Sequence, residues 1–343
     1  MKDLTSNTHI GIENLINKDW IISQDKDTLV IRKPPKGPII TIPKIIQIEK
    51  NLAWCLGFYI AEGTKVSYCI GISNCELSLI KRFQEEIRTK FGIDYSSWRA
   101  YCKSTEKTNK KIKYYINILK TKKVKSKYFR GATKDNIEIR FNNTLFALIF
   151  NEFVKQSLEI IYQDKGLLLE FLKGYEIGDG SIIQRSGFLY GIVITVKDEE
   201  MKNFLMKSFI KLYNKKPKER ITKGSYEISF TGIIPLIDVV LDRHFDSTER
   251  QWKKLISCFI KKQYTRSHIR YWKALCNSSL PVNDIAKLTN RSHWAVRDAM
   301  NKDTKLRLVT MEKKIINGRG HNHNYYSLTD KCKELLKIVE EVR

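Results

Sequence analysis

LLEFLKGYEIGDGS (168–181) starts as an apolar helix pattern and stops at a single acid, Asp179, held between Gly178 and Gly180. On its own the stretch reads as an ordinary helix stop, because glycine commonly follows a helix and Asp-Gly is a frequent turn. A second stretch changes that reading. LAWCLGFYIAEGTK (52–65) has the same apolar pattern, with Gly57 in the place of Gly174 and Glu62-Gly63 in the place of Asp179-Gly180.

The repetition continues downstream. Each motif is followed by a β-like stretch, YCIGIS (68–73) and YGIVIT (190–195), and then by a helix carrying IKRF (80–83) or MKNF (201–204). The spacing of Leu77, Ile80, Phe83 and Ile87 fits one buried helical face. Further on, IEIRFNNTLFALI (137–149) aligns with YEISFTGIIPLID (226–238), an alternating strand that runs into an apolar helix. The offset falls from 121 at the IKRF–MKNF pair to 89 at this strand pair, so the first copy carries about 32 extra residues, including much of a Lys-rich segment.

A helix duplicated with its terminal acid predicts two helices side by side, delivering Glu62 and Asp179 to one point. Gly57, Gly174 and Gly178 allow the backbones to approach, and Gly63 and Gly180 let the chain turn away. Two carboxylates held together repel unless divalent cations lie between them. Hard cations in such a place polarise a phosphoryl oxygen and stabilise a leaving 3′ oxygen, which suits phosphodiester chemistry.

Composition agrees with that partner. The 343 residues are 42% hydrophobic and 11% aromatic, enough for one large core or two to three ordinary ones. The formal charge is +25, from 62 Lys and Arg against 37 Asp and Glu, and calls for a polyanion, nucleic acid first. Residues 81–130 alone hold 16 Lys and Arg against 4 acids. No apolar run approaches a membrane span, and MKDLTSNTHIG lacks a signal-peptide core. Seven scattered cysteines without a C-x-x-C pair give neither a disulfide framework nor a zinc site, so a reducing, cytoplasmic setting is expected.

The paired motifs LGFYIAEGT and LKGYEIGDGS resemble those of the LAGLIDADG homing endonucleases in their single-chain, two-motif form, over about residues 45–260. The resemblance implies an α+β fold of two pseudo-symmetric αββαββα units whose strands form a saddle on the DNA major groove. It also implies Mg²⁺, with Mn²⁺ substituting, held at Glu62 and Asp179 with Ala61 and Gly178 beside them, and a basic residue near each metal, for which Lys165 and Arg250 are candidates. DNA contacts are expected at Lys65, Ser67, Arg99 and Lys103 in the first copy and at Ser181, Gln184, Arg185, Thr195 and Lys197 in the second. The first acid is Glu where the family more often has Asp, and Ile60 and Ile177 stand where the name-giving motif has its first Asp. Only 13 residues separate Glu62 from Glu76, leaving little room for a full hairpin, so the basic insertion is expected to serve the first DNA surface.

The flanks read separately. Residues 1–50 alternate around Pro-Pro-Lys-Gly and predict a small β element. After the charged connector KKQYTRSHIR (261–270), residues 265–343 hold 16 Lys and Arg against 8 acids. LPVNDIAKLTNRSHWAVRDAMNKD fits helix-turn-helix spacing, with Ile285, Ala286, Leu288, Trp294, Val296 and Met300 inside, and a hairpin turning at Asn317-Gly318 follows. This region resembles a winged helix-turn-helix. Arg291, Ser292, His293 and Arg297 would then meet a major groove, and Lys313, Lys314 and Arg319 would meet phosphates. His321 and His323, without further metal-ligand neighbours, read as a solvated wing tip.

The resulting division is 1–50, 51–165, 166–262 and 265–343. The functional expectation is a monomeric endonuclease that cuts a long asymmetric site in double-stranded DNA with Mg²⁺. Two alternatives stay open: a DNA-binding regulator built on the same core without catalysis, and an intron RNA-splicing maturase.

Overall fold

The computed structural model describes residues 8–64, 66–105, 111–128, 133–222, 224–315 and 322–342. The expected contacts Lys65 and Arg319, the turn at Asn317-Gly318 and His321 lie outside them. The chain is a mixed α+β protein of two compact units, Met1–Gly180 with Asn203–Leu212, and Ser181–Lys202 with Tyr213–Arg343.

The first unit opens with small sheets. Strand β1 (His9–Gly11) pairs with a later strand, and β2 (Ile21–Asp25), β3 (Thr28–Arg32) and β4 (Ile39–Pro43) form an antiparallel meander before β5 (Ile45–Gln47) closes against β1. Alternation puts Leu29, Ile31, Ile40 and Ile42 on the buried face. Helix α1 (Lys50–Glu62) buries every residue from Leu52 to Tyr59, as a helix apolar all round must. Then come β6 (Ile70–Asn74), α2 (Leu77–Phe91), β7 (Arg99–Ser104), α3 (Ile112–Leu119), β8 (Lys123–Tyr128) and β9 (Asn136–Phe141). Two capped helices end the unit. In α4 (Thr144–Gln163) the Asn143 side chain accepts from Phe146 N at 3.0 Å, and in α5 (Lys165–Asp179) Asp164 accepts from Leu167 N at 2.9 Å.

The four-stranded sheet runs β6-β9-β7-β8. β7 and β8 are parallel, so their connection has to cross over, and α3 makes that crossover. Ile70, Ile72, Ala100, Cys102, Val124, Ile137 and Ile139 cover the inner face. Phe91 from α2 meets Phe146, Phe150 and Phe153 of α4 edge-on at 5.2–5.4 Å. The buried face of α2 is Leu79, Ile80, Phe83, Gln84, Ile87 and Phe91. Leu77 begins the helix and stays only half-buried, a one-residue shift from the expected stripe. Among the described residues between Glu62 and β6 the chain makes only the isolated bridges Gly63↔Ile72 and Val66↔Cys69, as the short spacing demands.

The second unit begins with a complete hairpin, β10 (Gly180–Arg185) and β11 (Phe188–Val196), turned by Ser186 and Gly187 at φ 50° and 77°. Positive φ at both positions is the type I′ signature, which Gly187 accommodates. After α6 (Glu199–Tyr213), most of which belongs to the first unit, β12 (Lys218–Thr222) and β13 (Ser225–Thr231) complete a sheet of order β10-β11-β13-β12, followed by α7 (Ile233–Leu241) and α8 (Glu249–Lys261). The tail continues with α9 (Gln263–Ala274), β14 (Leu280–Pro281), α10 (Val282–Thr289), α11 (His293–Lys305), β15 (Val309–Ile315), β16 (Asn322–Leu328) and α12 (Asp330–Glu341). Its strands form a small antiparallel sheet, β14-β16-β15.

Two residues assigned to the tail's core lie outside it. Leu288 is 67% exposed and Trp294 73%, whereas Ile285, Val296, Ala299 and Met300 are buried. Ala286 is half-buried. The turn at Asn290 (φ 50°) sets α11 so that its inner stripe runs through Val296, Ala299, Met300 and Asp303, leaving the first turn of the helix to solvent.

Candidate functional site

Helices α1 and α5 are the most closely packed pair in the first unit, and three glycines set the spacing. A Cβ on Gly57 would overlap the carbonyl oxygen of Phe171, and one on Gly174 would overlap that of Trp54. At the bottom of the pair a Cβ on Gly178 would stand 2.5 Å from Ala61 Cβ and 2.8 Å from Glu62 Cγ, too close for any other residue. The two backbones thus run in contact until each ends in its acid.

The caps match as well. Gly63 (φ −70°, ψ 148°) and Gly180 (φ −94°, ψ 153°) are extended, and each donates its N–H to the carbonyl four residues back, Tyr59 and Glu176 respectively. Neither glycine is required by a left-handed backbone. Each is required because a Cβ would collide with that same carbonyl.

Glu62 is half-buried and Asp179 is exposed. Asn74, at the end of β6, donates its side-chain N–H to Glu62 Oε1 at 3.4 Å. Burial first, and then the negative charge of Asp179, push the Glu62 carboxyl up to about 7, with the Asn74 bond drawing it back. The two acids at one point, with Ala61 and Gly178 next to them in the chain, offer oxygen donors of the kind that a hard divalent cation takes. Among the described residues no group of three or more His, Cys, Asp or Glu side chains gathers as a metal site, at these two acids or elsewhere.

Of the expected basic assistants, Lys165 is not brought to this point. Lys165 is the first residue of α5, fourteen residues and about 21 Å along the helix from Asp179. It is the start of the motif helix itself. Arg250 is an exposed residue in the first turn of α8, in the second unit.

In the first unit, the outer face of the sheet is cationic. Register places Arg99, Tyr101 and Lys103 of β7 beside Lys123, Lys125 and Lys127 of β8 on one side and beside Arg140, Glu138 and Asn136 of β9 on the other. Six cations thus share a face with one acid, and that acid is held by Arg140 Nε at 2.6 Å. Arg99 and Lys103 were legible as contacts; Lys123, Lys125, Lys127 and Arg140 were not singled out, although alternate lysines in KVKSK carry the strand signal. Ser67 lies exposed in the turn before β6.

In the second unit, Thr195 faces outward beside Glu227, with Lys218 and Arg220 of β12 on the same face. Ser181 and Lys197 are exposed at the strand ends, and Arg185 lies over the Tyr190 ring at 3.8 Å. Gln184 points the other way: its amide donates to Cys258 Sγ of α8 at 2.6 Å.

In the tail, Arg291, Ser292, His293 and Arg297 cluster at the exposed start of α11, where the Ser292 hydroxyl caps the helix by accepting from Ala295 N at 3.3 Å. Arg297 lies 5.6 Å over the exposed Trp294 ring. Lys313 and Lys314 are exposed on β15.

No family model matches this chain, and no curated protein matches it. Among solved structures it is similar to full-length DUF199/WhiA from Thermatoga maritima, with 13% identity, 85% of this chain and 92% of that one covered, and a TM-score of 0.39. The N-terminal LAGLIDADG domain of DUF199/WhiA gives 14% identity, coverage of 62% and 84%, and a TM-score of 0.34. A double mutant of I-SmaMI gives 14% identity, coverage of 73% and 99%, and a TM-score of 0.34. None reaches a TM-score of 0.5, and the functional reading rests on the chain's own residues. No helix among the described residues is long and apolar enough to cross a membrane.

Proposed function

We propose that the chain is a LAGLIDADG-type protein that binds double-stranded DNA and hydrolyses its phosphodiester bonds with a divalent cation at Glu62 and Asp179. The observation that carries this is the glycine-lined α1–α5 seam, which brings two acids to one point, where burial and then the Asp179 charge push the Glu62 carboxyl up to about 7. A fold gains nothing from two mutually repelling acids, whereas a cation relieves them. Mg²⁺ would be held by both carboxylates and the carbonyls of Ala61 and Gly178, and Mn²⁺ offers the same hard-ligand chemistry. When bound, the cation supplies Lewis-acid stabilisation of the charge that builds on the phosphoryl group. Asn74 orients Glu62, and the cationic sheet face of the first unit holds the backbone.

In this reading the order α1, β6, α2, β7, β9, α4 and the order α5, β10, β11, α6, β12, β13, α7 are one unit built twice. The first copy has lost most of a hairpin and gained α3 and β8. The tail, α10 and α11 with the β14-β16-β15 sheet, is a winged helix-turn-helix. One chain holding both non-identical copies acts as a monomer on an asymmetric site.

A second reading, a DNA-binding regulator without cleavage, is favoured by two observations: the Glu62 carboxyl is pushed up to about 7, and Lys165 stands at the far end of α5 from Asp179. Incubation with a random-site DNA library and Mg²⁺, followed by sequencing of new ends, separates the two. Recurrent ends at one site support cleavage; retention of a site without new ends supports the regulator.

A further inference from the structure

In the second unit, a groove of about 730 Å³ is lined by Lys261, Lys262, Arg266, Arg270 and Arg291, with Phe188 and Tyr264 as its aromatic walls. Five cations and no acid line one concavity. Among the described residues none of the five forms an ion pair. Lys262 spends one N–H on Leu189 O at 3.1 Å, and burial holds its ammonium below the usual lysine range.

Two cations elsewhere on the same elements are paired. Lys253 of α8 pairs with Glu249 at 2.5 Å, and Lys273 of α9 pairs with Glu340 at 2.8 Å. The groove is where five cations are gathered into one concavity with no acid among its lining residues. Like charges gathered in one concavity repel, and by more where burial lowers the dielectric. The folded protein gains nothing from that repulsion, and an anion seated in the groove would remove it.

The groove is also held in shape before any ligand arrives. Arg266 and Arg270 lie four residues apart, on one face of α9. Tyr264, His268 and Trp272, also at four-residue spacing, converge on the fully buried Asp303 of α11. The Tyr264 hydroxyl donates to its carboxylate, His268 Nδ1 lies 2.8 Å from Oδ1, and Trp272 Nε1 donates to Oδ2 at 2.8 Å. This network fixes α9 against α11, so the arginines need little ordering on binding.

We propose that the groove is a phosphate clamp that grips the backbone of DNA without reading its sequence. The connector between the repeat core and the tail is then part of the binding surface and no mere linker. The proposal rests on the double-stranded-DNA reading and adds a contact region to it.

The test measures binding of the full chain to random-sequence duplex DNA across a range of salt, for the wild type, Arg266→Ala/Arg270→Ala, the charge-preserving Arg266→Lys/Arg270→Lys, and a control, Lys253→Ala/Lys333→Ala. The control removes two cations that are ion-paired to Glu249 and Asp330 away from the groove. The alanine pair should flatten the slope of log K against log salt by about 1.8, at about 0.9 per phosphate contact. The lysine pair should restore most of the slope, and the control should leave it unchanged. A wild-type slope retained by the alanine pair, or an equal loss in the control, overturns the clamp and leaves DNA binding standing. Failure of the wild type to bind any duplex overturns the DNA reading and the clamp with it.

Discussion

Replacing Gly174 by alanine sets two effects of opposite sign against each other. On helix propensity alone, alanine in the middle of α5 should stabilise by about 1 kcal/mol. The new Cβ, however, would overlap Trp54 O and stand 2.8 Å from Trp54 C and 3.1 Å from Phe58 N. Restoring an ordinary contact with that oxygen means parting the helices by more than about 1 Å, and a gap of that size forfeits roughly half or more of the dispersion energy along the seam. Overpacking of this kind costs about 1–3 kcal/mol, and more where the obstacle is backbone that cannot rotate away. The net expectation is a loss of about 2–4 kcal/mol, or roughly 5–12 °C in the melting temperature of the first unit. Thermal unfolding followed by circular dichroism checks it, and DNA cleavage should fall in parallel because Glu62 and Asp179 are carried apart. A melting temperature unchanged or raised would mean that α1 and α5 do not meet backbone to backbone.

Because the Glu62 carboxyl is raised to about 7 from 4.5, its contribution to stability is fully present below about pH 4.5 and is lost as pH rises through 7. In a metal-free chelating buffer Glu62→Gln should therefore be more stable than the wild type at pH 8, by about 1–2 kcal/mol after allowance for the water that still reaches the group, and the difference should vanish near pH 5. An equal difference at both pH values would remove the buried-charge explanation. On the sheet face of the first unit, Lys123→Ala/Lys125→Ala/Lys127→Ala should lower the salt slope of DNA binding by about 2.7, and an unchanged slope would place β8 away from DNA. In the tail, Arg297→Ala should weaken binding by about 1–3 kcal/mol at one base position, while Lys314→Ala should weaken every sequence alike; a selection on randomised sites distinguishes them.

The seam was legible because it is written twice: Gly57 with Glu62-Gly63 and Gly174 with Asp179-Gly180 each look like an ordinary helix stop until they are aligned. What the sequence did not carry was direction and tertiary assembly. Lys165 looks adjacent to a repeat boundary, yet a helix of 15 residues puts it at the far end from Asp179. Gln184 alternates correctly for a strand, but the face it takes depends on where α8 lies. Trp294 and Leu288 fit a buried stripe by spacing, and only the angle set at Asn290 turns them outward. The parallel pairing of β8 with β7 and the groove joining Phe188 to Arg270 and Arg291 link positions far apart in the chain, which no local pattern encodes.

The central claim is that Glu62 and Asp179 hold a cation for DNA hydrolysis, and single variants test it most directly. Once a cleaved site is in hand, the wild type, Glu62→Gln and Asp179→Asn are compared on that duplex with Mg²⁺ for cutting and, in parallel, for binding. Each variant removes a charge that holds the metal but little contact surface, so each should abolish double-strand cleavage and bind the site as tightly as the wild type. Cutting at near the wild-type rate by either variant would contradict the two-acid site.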